Sequence, residues 1–132
     1  MTNYAMVFNA RDGLKKVSWD NDSLEFLQSS VDGYVDGLYV GDFGKGIALW
    51  INDEGKFRSD LEPSALLMYK GKVYDYVVGN IVFTGIDDEG ETTSLTDTQI
   101  QCIKNAFKKF QYQLDFKHGL MLPLFNPWIR LY

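Results

Sequence analysis

The sequence is short of the residues that carry most enzyme chemistry. It has one cysteine, Cys102, and one histidine, His118, among 132 residues. A single cysteine cannot form an intramolecular disulfide, and its place in a helical apolar pattern predicts a small buried hydrophobe in a protein of a reducing compartment. On a continuous helix the two Cα atoms would lie about 24 Å apart. A nucleophilic Cys–His pair is therefore excluded, and we expect neither an enzyme nor a cofactor.

Long apolar runs and an excess of basic charge are also missing. No run approaches the roughly 18 apolar residues of a membrane span, and Met1–Arg11 lacks the pattern of a signal peptide. We therefore expect a cytoplasmic protein without membrane contact. The formal charge of −5 and the pI near 4.7 disfavour direct nucleic-acid binding. The one short basic cluster, Lys104, Lys108 and Lys109, indicates the solvated face of a helix.

Apolar and aromatic residues are plentiful, at 45% and 15% of the chain, which predicts one folded core. Residues 4–8 and 14–19 are β-prone and flank Asp12-Gly13, a hairpin signal. Asp22 and Glu25 form a capping-box pattern for a short helix that Gly33 would stop. Residues 34–40 and 47–51 indicate two more strands, and the glycine-rich connection between them indicates a hairpin loop.

The second half of the chain predicts one long strand and one long helix. Residues 73–84 indicate a central strand with a bulge at Gly79-Asn80, whereas residues 61–69 fit either a helical turn or an irregular crossing. Thr96 and Gln99 form a capping box, and an apolar stripe continues from Ile100 through Leu114, so we expect a helix over 96–117. The expected fold is α+β: an antiparallel sheet of about five strands, with one long C-terminal helix packed on one face and one short helix.

The C-terminal residues are unusual. We divide the chain into a single α+β domain, residues 1–118, and an apolar tail, residues 119–132, that contains two prolines. Prolines exclude a regular helix and confine any strand to a sheet edge. The tail packs on its own domain, closes a homodimer or binds a partner. Its candidate contact residues are of types enriched at interfaces: Phe125, Trp128, Arg130 and Tyr132.

Several short motifs occur in a recognisable order: Gly33-Tyr34-Val35-Asp36, Asn52-Asp53-Glu54-Gly55, Gly79-Asn80 and Leu95-Thr96-Asp97. This set resembles an uncharacterised family of domains of unknown function that is spread among phages and mobile elements. The resemblance covers residues 18–107. It implies a phage or mobile-element origin and supplies no mechanism.

The remaining candidate site is an acidic loop of Asp87, Asp88, Glu89 and Glu91. Its spacing is not that of a calcium loop, so no metal is expected. A solvated loop is the simplest interpretation. The functional hypothesis is a non-catalytic accessory protein that inhibits a host protein, such as a nucleic-acid enzyme of a defence system, in the manner of anti-CRISPR or anti-restriction proteins. Its acidic loop would occupy a basic groove.

The alternative is a sponge for a nucleotide-type signalling molecule. Aromatic rings of the tail would stack on a base, and Arg130 would hold a phosphate. In sequence, stacking aromatics and core aromatics look the same, so both hypotheses stay open at this point.

Overall fold

The computed structural model describes residues 2–20 and 22–126. Ten strands and two α-helices occur in this part of the chain. They are β1 Asn3–Asn9, β2 Gly13–Trp19, α1 Ser23–Val31, β3 Val35–Leu38, β4 Ile47–Asn52, β5 Pro63–Tyr69, β6 Lys72–Val78, β7 Ile81–Ile86, β8 Thr92–Thr93, α2 Asp97–Lys109, β9 Tyr112–Asp115 and β10 Leu120–Phe125. A short 3-10 helix covers Gly55–Phe57. Neither α-helix is long and apolar enough to cross a bilayer.

The strands form two sheets, so the expected α+β fold with a single five-stranded sheet is wrong. The large sheet has six antiparallel strands in the order β2-β1-β7-β4-β3, with β8 paired to the end of β7. The small sheet has the order β6-β5-β10-β9, and only its β5–β10 pair is parallel. The described chain is mostly β, and its helices have 9 and 13 residues.

The large sheet is covered on both faces because its strands alternate apolar residues between two cores. On one face, Ala5, Val82 and Trp50 pack with Leu27 and Val31 of α1. The opposite face packs against α2 and the inner face of the small sheet. This main core contains Met6, Phe8, Leu49, Ala65, Leu67, Val77, Ile81, Phe83, Ile100, Ile103 and Phe125. Among the described residues, no α-helix or further sheet packs on the outer face of the small sheet.

The local predictions in the first half are largely confirmed. β1 and β2 pair from Asn3↔Trp19 to Asn9↔Gly13, and β3 and β4 form the expected hairpin. Asp22 caps α1 by accepting from the Leu24 amide at 2.9 Å. The helix ends at Val31, and its C-cap residue, which takes the left-handed conformation at φ 58°, is Asp32 and not Gly33.

Asn52 fixes the end of α1 to β4. Its buried amide donates to the carbonyl oxygens of Val31 and Asp32 at 3.0 and 3.1 Å. Its side-chain oxygen accepts from the Glu54 amide at 2.8 Å. The Asn52-Asp53-Glu54-Gly55 turn is therefore held by the Asn52 side chain, which bonds to the backbone two residues on, as its residue type indicates.

The predicted long strand over 73–84 is two strands in different sheets. Gly79 takes φ +84° and donates to the Glu62 carbonyl at 2.9 Å, while its own carbonyl accepts from the Ser64 hydroxyl. This turn carries the chain from β6 in the small sheet to β7 at the centre of the large sheet. The uncertain segment over 61–69 contains β5, whose turn to β6 uses left-handed Lys70 and Gly71.

The predicted helix over 96–117 ends eight residues early. The Thr96 capping box is present and Ile100 and Ile103 are buried, as expected. The helix stops at Lys109 because Phe110 adopts an extended conformation, with ψ 145°, and its ring packs against Phe125 at 5.0 Å between centroids. The next residues form β9, and Lys117 and His118 lie in the turn before β10.

Within the described part of the tail, residues 119–126, β10 covers Leu120–Phe125. This strand lies between β5 and β9, so the expectation that prolines would confine it to an edge is wrong. Parallel pairing with β5 begins at Leu124, one residue after Pro123, so this ladder does not use the missing N–H. The division at residue 118 stays a prediction.

Candidate functional site

The acidic loop is the turn between β7 and β8. Its four acidic residues are exposed. The Asp87 carboxylate accepts from the amides of Glu89 and Glu91 at 3.0 and 2.9 Å, and the Asp87 amide donates to the Glu91 carbonyl at 3.0 Å. Asp87 therefore holds the turn, whereas Asp88, Glu89 and Glu91 are presented to solvent.

The predicted contact residues of the tail fall into two groups. Phe125 is fully buried and packs against Phe43, Phe107 and Phe110 at 5.7, 6.1 and 5.0 Å between ring centroids. It is thus part of the main core and not of the surface. Trp128, Arg130 and Tyr132 lie outside the described residues.

The two residues tested for nucleophilic chemistry lie on different elements. Cys102 is on α2 and is exposed, so the expectation of a buried hydrophobe is wrong. The His118 Nδ1 atom lies 2.6 Å from Asp115 Oδ2 within the β9–β10 turn. Within residues 2–20 and 22–126, no three or more His, Cys, Asp and Glu side chains group in a way that could hold a metal ion.

A cleft of about 880 Å³ lies on the outer face of the small sheet. Its floor contains Leu66 of β5 and Leu122 of β10. Three aromatic side chains line it and remain accessible: Tyr74 and Tyr76 are 56% and 44% exposed, and Phe116 is 88% exposed. We call this surface the open-face groove.

Two segments form the walls of the groove. Residues 56–61, which begin within the 3-10 helix, form one side, and residues 113–118, from β9 into the β9–β10 turn, form the other. Lys56 places its Nζ 5.0 Å from the centroid of the Tyr76 ring, a cation–π contact, and pairs with Asp75. The groove is thus assembled from parts of the chain that are far apart in sequence.

The basic groups of the groove are largely engaged by neighbouring carboxylates. Arg58 donates from Nε and Nη2 to Asp60 at 2.8 and 2.7 Å, and also to the carboxylate and carbonyl of Asp32. Hydrogen bonds to Asp60 and Asp32 raise the pKa of Arg58 above its ordinary value. The guanidinium is therefore a fixed part of the wall, and few of its N–H donors are left to bind a phosphate.

Sequence reasoning missed the open-face groove. A signal for it is present in β6, where Tyr74 and Tyr76 recur at the two-residue period of one strand face, on either side of polar Asp75. Interpreting residues 73–84 as one central strand hid this pattern, because a central strand is expected to be buried on both faces.

The comparisons with known proteins agree with the motif resemblance at the family level. A family model described as a domain of unknown function, DUF3846, matches residues 4–110. No curated protein and no solved structure matches the chain. Since the matched region is most of the 132 residues, the chain belongs to the DUF3846 family of domains of unknown function.

Proposed function

We propose that this chain is a non-catalytic accessory protein that binds and inhibits a host protein, with the open-face groove as its main contact surface. The observation that carries the proposal is the exposure of Tyr74, Tyr76 and Phe116 around an apolar floor. Accessible aromatic clusters of this kind mark interfaces, and tyrosine is among the residue types enriched at binding hot spots.

The shape of the groove favours a macromolecular partner over a small ligand. Small-molecule sites bury most of their ligand, whereas this surface is an open sheet face whose aromatic rings are about half exposed or more. Two of its three Lys and Arg side chains are already paired, Lys56 with Asp75 and Arg58 with Asp60 and Asp32, which leaves the exposed Lys117. A nucleotide sponge would need cations free to hold phosphate, so the groove supports this alternative less well.

The acidic turn provides a second contact in this proposal. Because Asp87 fixes the turn, Asp88, Glu89 and Glu91 lose little conformational freedom on binding. A basic nucleic-acid-binding surface of a host defence enzyme has the complementary charge. A phage or mobile-element origin and action in the host cytoplasm belong to the same proposal. The origin rests on the motif resemblance.

Affinity capture from bacterial lysate, followed by mass spectrometry of protein and small-molecule fractions, tests the proposal. The wild type should retain a stoichiometric host protein, and the double variant Tyr74→Ser/Tyr76→Ser should lose it. The matched control is Tyr34→Ser/Tyr39→Ser, which removes two tyrosines that are 71% and 75% exposed and flank β3 of the other sheet.

The outcomes separate the hypotheses. Loss of capture by both double variants, or by neither, would argue against the groove as the contact surface. A retained nucleotide without a protein would replace the inhibitor proposal by the sponge. A further variant, Asp88→Asn/Glu89→Gln/Glu91→Gln, keeps Asp87 and so the turn, and weakened capture would support the acidic contact.

A further inference from the structure

β9 is the least protected edge strand among those that end the two sheets. Edge strands usually carry lysine, a bulge or other features that prevent pairing with a further strand. β2 carries Lys15 and Lys16, and β6 has a register shift and Lys72. β3 has four residues and one aspartate, as β9 does, but it also contains Gly37, which weakens a strand. β9 has the sequence Tyr-Gln-Leu-Asp and contains no lysine, arginine, proline or glycine.

The register shows which backbone groups of β9 face the open side. Leu124 donates to the Gln111 carbonyl at 2.9 Å, one step beyond the Pro123↔Tyr112 pair. Hydrogen-bonded and non-bonded pairs alternate along an antiparallel ladder. Gln113 therefore bonds to β10, whereas the N–H and C=O of Tyr112 and Leu114 point away from it. No other described strand pairs with β9.

The side chains beside this edge are apolar and accessible. Tyr112 and Leu114 are 41% and 40% exposed, and Met121, the cross-strand partner of Leu114, is 51% exposed. The Tyr112 hydroxyl donates to the Phe107 carbonyl at 2.9 Å, which holds its ring in place. An added strand would cover Leu114 and bond to two pairs of backbone groups that no described strand uses.

The charged residues beside β9 favour an acidic partner strand. Exposed Lys109 precedes β9 and exposed Lys117 follows it, on a chain whose net charge is −5. The one carboxylate of the strand, Asp115, lies against His118. An incoming strand with carboxylates near both ends would meet a lysine at each end.

We propose that β9 binds an extended segment of a partner protein by strand addition, and that this segment has alternating apolar residues and acidic ends. Main-chain hydrogen bonds are the usual source of affinity in this mode, and alternate side chains give selectivity. A second copy is a poorer occupant, because antiparallel β9–β9 pairing through Tyr112 and Leu114 would place Lys109 of one copy beside Lys117 of the other. The inference rests on the proposed function, since β9 borders the open-face groove.

The test uses a short synthetic peptide in which valine and threonine alternate between terminal pairs of aspartate. Its control replaces the aspartates by lysines. Amide hydrogen exchange followed by NMR should show that the aspartate peptide protects the Tyr112 and Leu114 amides, whereas Gln113 is already protected without peptide. The lysine peptide should bind about tenfold more weakly or less.

The diagnostic variant is Leu114→Pro, which removes an outward N–H and leaves the bonded pairs of the β9–β10 ladder intact. Its matched control, Leu114→Val, keeps the N–H with a β-branched side chain. Leu114→Pro should weaken peptide binding about tenfold or more, the effect of a lost main-chain hydrogen bond. Thermal unfolding of both variants establishes that the fold is retained.

Three results would overturn the inference: no binding of the aspartate peptide at millimolar concentration, equal binding of the two peptides, or unchanged binding by Leu114→Pro. Protection of Tyr112 and Leu114 without peptide, together with a dimer in solution, would assign β9 to a second copy instead. Lysate capture keeps the two proposals distinct. If Tyr74→Ser/Tyr76→Ser loses the host protein and Leu114→Pro retains it, only strand addition fails.

Discussion

Truncating Phe125 is expected to destabilise the protein strongly, because this residue of the tail lies in the main core. Its ring is fully buried and contacts Phe43, Phe107 and Phe110, with centroids between 5.0 and 6.1 Å away. Phe125→Ala removes these contacts and leaves a cavity between α2 and the two sheets. Buried Phe→Ala substitutions cost about 3–5 kcal/mol of unfolding free energy.

The size of the effect makes it easy to measure. For a chain of this length, such a loss should lower the melting temperature by roughly 10–18 °C. Urea unfolding followed by far-UV circular dichroism gives the free energy directly. The control is Phe116→Ala, which truncates an 88% exposed ring of the same type and should change stability by less than about 0.5 kcal/mol. A Phe125→Ala loss below about 1 kcal/mol would refute the placement of this residue in the core.

Three further perturbations follow from single contacts. Asn52→Ala leaves two helix-end carbonyls without their donor in a buried site, so it should cost about 2–3 kcal/mol in urea unfolding; a loss below about 0.5 kcal/mol would contradict that role. Lys70→Asn should stabilise the protein by up to about 1 kcal/mol, because Lys70 has φ +50° in a two-residue hairpin turn before glycine, where asparagine is favoured; a lower melting temperature would count against this. The hydrogen bond from Arg11 holds the pKa of Glu62 below its ordinary value of 4.5, so the folded carboxylate binds its proton less readily than the unfolded one. The stability advantage of wild type over Glu62→Gln should therefore be complete above pH 4.5 and shrink as the pH falls below it, and an advantage that grows in acid would be inconsistent with the ion pair.

Features set by neighbouring residues could be predicted from the sequence. The β1–β2 hairpin follows from Asp12-Gly13, and the start of α2 follows from the reciprocal bonds of Thr96 and Gln99, observed at 3.1 and 3.0 Å. In both cases the residues that decide the structure lie within a few positions of each other. Burial of Ile100 and Ile103 follows from helical periodicity in the same way.

Features that depend on residues far apart in the chain could not be predicted from the sequence. Gly79 fits a bulge within a strand as well as a turn between sheets, and the choice depends on the Glu62 carbonyl and the Ser64 hydroxyl. The apolar stripe of α2 continues in sequence through Leu114, yet pairing with β10 takes residues 112–115 out of the helix. Tertiary pairing overrides local helical preference there.

The same limit applies to the candidate site. The acidic turn is visible as a run of charges, and the structure adds that Asp87 is used to hold it. The open-face groove brings together residues 56–61, 73–76 and 113–118, which no local pattern connects. Its aromatic residues could be recognised as surface residues only once β6 was known to lie in the small sheet.

Hydrogen–deuterium exchange of the protein with and without its captured host partner tests the central claim most directly. The account predicts that binding slows exchange in residues 56–61, 73–76 and 111–118, which form the groove and its β9 edge, with a smaller effect at residues 87–91. Unchanged exchange in those groove segments, with protection confined to β2, β3 or the exposed side of α2, would contradict it.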